Sequence, residues 1–235
     1  MTTNAVLINS PVRRIRADWH AGLSLPLGLA YIATVLLQNG YRASITDFNV
    51  SGFNPLRLRR IIETEDPTVL GISTHTETYL SGLEIARLAK EVKPSLMIVM
   101  GGPHATVMYE EVAKEPAVDF VVRGEGEFTM LELVRFLVDG SGSLEDIRGL
   151  VYKRNGEVRV NADRPFVDNP DEIPFPDRRL LPVELYAYGG NVLASRGGCP
   201  FACAFCAVNN IGKGSRGFRN PENDAQGVAK QLKEL

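Results

Sequence analysis

The chain is 235 residues long, 44% apolar and 23% charged, with a formal net charge of −2. That is the composition of a soluble globular protein with room for one full domain and part of another. So even a balance makes no electrostatic case for nucleic acid or an anionic membrane as partner, and the most apolar stretch, 23–37, is broken by Ser24, Pro26, Gly28 and Thr34 and falls short of the ~20 residues that span a bilayer.

Residues 4–9 form a short apolar run stopped by Ser10-Pro11, the pattern of a buried parallel strand. Arg13-Arg14 follow it, the wrong order for a signal peptide. After a polar loop to about Leu25, Pro26 opens a helix as a first-turn proline, Leu29, Ile32, Ala33, Leu36 and Leu37 recur at helical spacing, and Gly40 ends it. Residues 43–49 predict a second strand and 56–65 a second helix stopped before Pro67. The third strand, 69–73, leads through Thr74-His75-Thr76 into a helix that Ser81 and Glu84 are expected to cap.

Residues 96–100 predict a fourth strand, ending in Gly101-Gly102-Pro103-His104-Ala105-Thr106 before a short helix over 107–114. The fifth strand, 120–122, ends in Arg123-Gly124-Glu125-Gly126-Glu127, and Thr129 and Glu132 are expected to box the start of a helix closed by Gly140. Strands alternating with helices to Gly140 predict an α/β fold with a doubly wound, parallel, five-stranded, Rossmann-like (flavodoxin-like) sheet over 1–140. Ligands on such sheets bind beyond the carboxyl ends of the strands, at the point where strand order reverses, and the glycine-rich turns after strands four and five lie on that edge.

From Ser141 the pattern changes. Residues 150–154 and 157–160 flank Asn155-Gly156, a two-residue-turn hairpin. Pro170, Pro174, Pro176 and Pro182 then mark an extended segment, so 141–189 is expected to be a linker. Residues 190–235 begin a second domain: a strand over 191–194, a cysteine loop, and a helix started by Asn220-Pro221-Glu222 with Val228, Ala229 and Leu232 on one face.

Every cysteine lies in the loop, as Cys199-x3-Cys203-x2-Cys206. A closed structural zinc site takes four ligands, and His20, His75 and His104 all lie far upstream. An odd count without a secreted context is not a disulfide framework, and free clustered thiols fit a reducing, cytoplasmic setting. A cubic four-iron cluster usually takes four thiolates; with three, one iron keeps an open position that a small bidentate ligand such as an amino acid can fill. A three-cysteine zinc site completed from elsewhere and three structural cysteines stay as alternatives.

The spacing, the lead-in Arg196-Gly-Gly-Cys-Pro and Phe205 before the last cysteine resemble the signature of the radical S-adenosylmethionine (radical SAM) superfamily. The resemblance implies a four-iron four-sulfur cluster held by Cys199, Cys203 and Cys206. Its fourth iron chelates S-adenosylmethionine, whose reductive cleavage yields a 5′-deoxyadenosyl radical, with Phe205 near the adenine. Pro26-Leu27-Gly28, the turn 101–106, the turn 124–127 and the linker Ile173-Pro-Phe-Pro-Asp177 add a second resemblance, to the cobalamin-binding domain N-terminal to many radical SAM enzymes. It implies cobalamin contacts at Ser73, Thr74, His75, Gly101, Gly102, His104, Thr106, Gly124, Glu125, Gly126 and Glu127, with Glu125 and Glu127 placed to accept hydrogen bonds from corrin amides. By their own chemistry these glycines also suit tight turns, and Glu125 and Glu127 also suit the positive end of a helix.

A dinucleotide site is less well supported, since no G-x-G-x-x-G follows the first strand. Asp18-Trp19-His20-Ala21-Gly22 is one residue too short for the D-x-H-x-x-G pattern of histidine-ligated cobalamin; the resemblance to the radical SAM group, which generally lacks that ligand, implies cobalamin without it, with His20 at the lower axial face as the alternative.

The function implied is methylation of an unactivated carbon, with radical cyclisation or rearrangement as second reading. The partners implied are a small-molecule or natural-product substrate and an electron donor such as flavodoxin or ferredoxin. A cobalamin-binding module without catalysis and a Rossmann-like scaffold that binds no corrin are the rival classes. A partial barrel needs many more strand–helix units than 190–235 supplies, so the chain is expected to be a fragment that binds a cluster weakly and does not turn over alone.

Overall fold

The computed structural model describes residues 4–12, 24–167, 172–186, 203–207 and 229. Among them, five strands alternate with helices: β1 (Ala5–Asn9), α1 (Leu27–Gln38), β2 (Ala43–Asp47), α2 (Phe48–Ser51), α3 (Pro55–Glu65), β3 (Val69–Ser73), α4 (Tyr79–Val92), β4 (Met97–Gly101), α5 (Gly102–Val107), α6 (Tyr109–Lys114), β5 (Phe120–Val122) and α7 (Glu127–Asp139). The hairpin β6 (Leu150–Arg154) and β7 (Glu157–Val160) follows. All seven strands form one sheet in the order β2-β1-β3-β4-β5-β6-β7, parallel from β2 to β5 and antiparallel at β5-β6 and β6-β7.

The central strands are apolar on both sides because helices cover both faces. One core cluster packs Leu58, Ile62, Leu83, Ile85 and Val112 of α3, α4 and α6 on the sheet, and the other packs Leu29, Leu36, Leu131 and Val134 of α1 and α7 on the opposite face. Leu7, Ile8, Leu70 and Ile72 are at most 2% exposed, each contributing about 1.5–3 kcal/mol by burial. The doubly wound, Rossmann-like α/β fold expected from the sequence is the fold observed.

Several expectations are corrected. The hairpin is not part of a linker: β6 pairs with β5 and extends the sheet past Gly140, since Leu150, Val151 and Tyr152 are buried and cover an edge that β5 would otherwise expose. Asn155 and Gly156 both have positive φ, 54° and 80°, as the two-residue turn requires. Strand two stops at Asp47, whose carboxylate accepts from Asn49 N at 2.8 Å and starts α2 instead.

The turn 102–106 is a helix, with Pro103 in its first turn. Ser81 and Thr129 are not caps, because α4 and α7 begin two residues before each of them. Ser81 is buried, and the Thr129 hydroxyl donates to Arg148 O at 2.8 Å. Residues 172–186 are more than an extended linker: they include the 3-10 turns Arg178–Leu180 and Val183–Leu185 and bury Ile173, Leu181 and Tyr186. The expected strand 191–194 and the start of the last helix lie outside the described residues.

Candidate cofactor-binding cleft

The sheet reverses its strand order between β1 and β3, and a cleft of about 540 Å³ opens there at the carboxyl ends of the strands. Its walls come from β1 (Leu7, Asn9), β3 (Gly71–Ser73), β4 (Val99, Gly101), β5 (Val122), the segment 24–29 entering α1, and Gly124–Glu127 entering α7. The floor is apolar: Leu7, Ile32, Gly71, Val99 and Met130. Gly71 interrupts an otherwise large-residue strand, and its missing side chain is what lets Leu7 and Met130 approach.

The described rim is polar. Ser73, His75, Glu125 and Glu127 line it, and no Lys or Arg is among the described lining residues. Glu127 is only 5% exposed, in the first turn of α7, where the helix dipole favours a carboxylate. At about 540 Å³ the cleft is too small for a whole corrinoid but suits a slim arm of one, with apolar side chains to bury it and glycines at 101–102 and 124 and 126 that let the main chain approach it closely. The residues present therefore fit cobalamin.

Of the sequence-predicted contacts, Ser73, His75, Gly101, Gly102, Gly124, Glu125, Gly126 and Glu127 meet in the cleft. The other three brace it from behind. Thr74 is fully buried, its N–H donating to Gly101 O at 2.9 Å and its carbonyl accepting from His104 N at 3.2 Å. Thr106 Oγ1 donates to Gly102 O at 2.9 Å and accepts from Gly124 N at 3.1 Å, tying the two glycine turns together. His104 stacks on Tyr79, ring centroids 4.2 Å apart, with Nδ1 3.2 Å from Thr76 Oγ1. Burial holds its pKa below the ordinary imidazole value, helped by His75 and opposed by Glu111.

Sequence reasoning missed the floor residues; an isolated glycine inside the third strand was the available signal. Cys203 and Cys206 are free thiols on one turn, closed by Cys206 N donating to Cys203 O at 3.1 Å, with Phe205 between them 94% exposed. Cys199 and His20 lie outside the described residues, and among the described residues no group of three or more metal-ligating side chains occurs. No helix of the described residues is long and apolar enough to cross a membrane.

A five-strand parallel order of 2-1-3-4-5 with a cleft at its switch point defines a Rossmann-like cofactor-binding domain. The family model of the B12 binding domain matches residues 14–134, half of the chain. The chain belongs to that family, as the resemblance in its sequence implied. It is 40% identical over 197 residues to an uncharacterized methyltransferase of Pyrococcus horikoshii, covering 82% of this chain and 42% of that protein. It is 34% identical over 201 residues to an anaerobic magnesium-protoporphyrin IX monomethyl ester cyclase of Rubrivivax gelatinosus, covering 80% and 35% respectively.

Among solved structures, the radical S-adenosylmethionine methyltransferase TsrM of Kitasatospora setae, with tryptophan and a SAM analogue bound, aligns with a TM-score of 0.75 at 18% identity. That alignment covers 99% of this chain and 46% of TsrM, and at such identity it speaks for the fold. The chain thus spans less than half the length of these relatives.

Proposed function

We propose that this chain is the cobalamin-binding portion, and the beginning of the cluster-binding portion, of a cobalamin-dependent radical SAM enzyme that methylates an unactivated carbon of a small-molecule or natural-product substrate. The observation that carries the reading is the B12-binding family match, which covers every lining residue of the cleft except Leu7 and Asn9. The Cys199-x3-Cys203-x2-Cys206 spacing supports the radical part, and TsrM has been solved with cobalamin and a [4Fe-4S] cluster bound. A reducing, cytoplasmic setting, which an odd, clustered set of cysteines in the sequence suits, and an electron donor of flavodoxin or ferredoxin type complete the proposal.

When bound, the iron–sulfur cluster supplies the electron that cleaves S-adenosylmethionine, and cobalamin supplies the methyl group. The chain's own residues bind and orient. Cys199, Cys203 and Cys206 are the cluster ligands, and Phe205 offers an open ring face to the adenine. Leu7, Gly71, Val99 and Met130 would exclude water from the part of a corrinoid held in the cleft, and Glu125, which also accepts from Val167 N, and Glu127 would offer acceptors to its amides. A second reading, ring closure in place of methyl transfer, is supported by the likeness to the anaerobic cyclase.

Anaerobic reconstitution with iron and sulfide tests the radical part. The enzyme in its full length retains iron with a broad visible absorbance, and its Cys203→Ala variant loses both. Full iron and absorbance in that variant would refute the cluster assignment. Corrinoid binding without 5′-deoxyadenosine formation by the enzyme in its full length, given S-adenosylmethionine and reductant, would favour a non-catalytic cobalamin module.

A further inference from the structure

Tyr186 and the cleft are joined by hydrogen bonds that run across the ends of three neighbouring strands. Tyr186 Oη, in the segment that leads toward the cysteine loop, donates to Asp47 Oδ2 at 3.0 Å in a buried contact at the end of β2. The other oxygen, Asp47 Oδ1, accepts from Asn49 N at 2.8 Å and Asn49 Nδ2 at 3.2 Å. Asn49 in turn clamps the exit of β1: its Nδ2 donates to Ser10 O at 3.2 Å and its Oδ1 accepts from Val12 N at 2.9 Å.

Ser10 Oγ lies 2.6 Å from Ser73 O and 2.9 Å from Thr78 Oγ1, and its single proton serves the shorter contact. Thr78 Oγ1 accepts from His75 N at 2.9 Å. Ser73 and His75 line the cleft. A second, apolar link runs alongside: Leu181 and Tyr186 pack on Leu25 and Ala30 with Leu27 beside them, and Leu25 and Leu27 are themselves cleft wall.

We propose that residues 181–186 are a latch coupled to the cleft, so that a corrinoid in the cleft tightens the docking of this segment. The proposal rests on the cobalamin reading above. Docking and undocking differ in the contacts of Leu25 and Leu27, and that difference is the interaction a ligand needs in order to shift a two-state equilibrium. The coupling is reciprocal: whatever holds Tyr186 in place also steadies the cleft wall at Leu25 and Leu27. Tyr186 is a positioning residue, too deeply buried against Asp47 to ionise at ordinary pH.

Arg179, whose side chain is 90% exposed, reports on the latch. Cleavage by trypsin at Arg179–Leu180 follows the population of the undocked segment when cleavage is slow relative to reclosing. In the 235-residue chain, saturating hydroxocobalamin should slow that cleavage at least about fivefold, the lower end of ordinary site-to-site coupling. Tyr186→Phe, which keeps the ring and leaves Asp47 Oδ2 without its donor, should cleave about tenfold faster with no corrinoid present. Both rates are read by mass spectrometry of the released fragment, and the melting curve of the variant confirms that it folds. Corrinoid that binds, seen by its spectrum, yet leaves cleavage unchanged overturns the latch and leaves the cobalamin reading standing. A Tyr186→Phe chain cleaved no faster overturns it too. No corrinoid spectrum with the unmodified chain overturns both readings together.

Discussion

Gly71 and Leu7 meet across the floor of the cleft: a methyl group on Gly71 would lie 2.8 Å from Leu7 Cδ2 and 3.4 Å from Met130 Cε. Both are ends of flexible side chains, so Gly71→Ala is accommodated by displacing them at the cost of overpacking, about 1–3 kcal/mol. Urea denaturation should show that loss, with the slope unchanged. A variant as stable as the unmodified chain would mean that the floor is looser than this geometry.

Gly102 and Gly124 both have positive φ, 91° and 73°, yet only one is crowded. A Cβ on Gly102 would lie 2.7 Å from Thr74 O and 2.9 Å from Thr74 N, main-chain atoms held by the bonds to Gly101 and His104, whereas nothing lies within 4 Å of one on Gly124. Gly124→Ala should therefore cost only the left-handed backbone penalty of about 1–2 kcal/mol. Gly102→Ala should cost clearly more, in the same denaturation assay. Equal losses would count against the close packing of the two turns.

His104 makes stability depend on pH. Its pKa in the fold lies below the ordinary value, chiefly through burial, so the unfolded chain takes up a proton first as pH falls. The neutral ring's contribution is present in full above about 6.5 and is lost as pH drops through the lowered folded value. Melting temperature should decline over that window in the unmodified chain and less so in His104→Phe, which keeps a ring against Tyr79. Parallel pH profiles would contradict the assignment.

How much of this was legible in the sequence depends on the range of the interactions. The apolar run of β1, the Asn155-Gly156 turn and the strand–helix alternation are local signals, and they yield the strands and the fold class. The glycine turns after β4 and β5 mark the binding edge for the same reason. Cap patterns misled where tertiary contacts took the side chain: Thr129 answers Arg148 and Arg164, not its own helix. The hairpin's place in the sheet depends on pairing Val121 with Val151, and the Tyr186–Asp47 bond joins residues 139 apart. No local pattern carries either one. Gly102-Pro103 reads equally as a turn or as the first turn of a helix, and the adjoining main chain of Thr74 decides it.

Hydroxocobalamin titration under anaerobic conditions, followed by the visible spectrum and run beside a Gly71→Val variant shown to be folded by its melting curve, tests the cleft most directly. One corrinoid per chain should bind the unmodified protein with a spectral change, and the bulkier floor should weaken that binding at least about tenfold, the penalty expected for side chains driven into a packed site. No binding to the unmodified chain, or undiminished binding to the folded variant, would contradict the cleft as the corrinoid site.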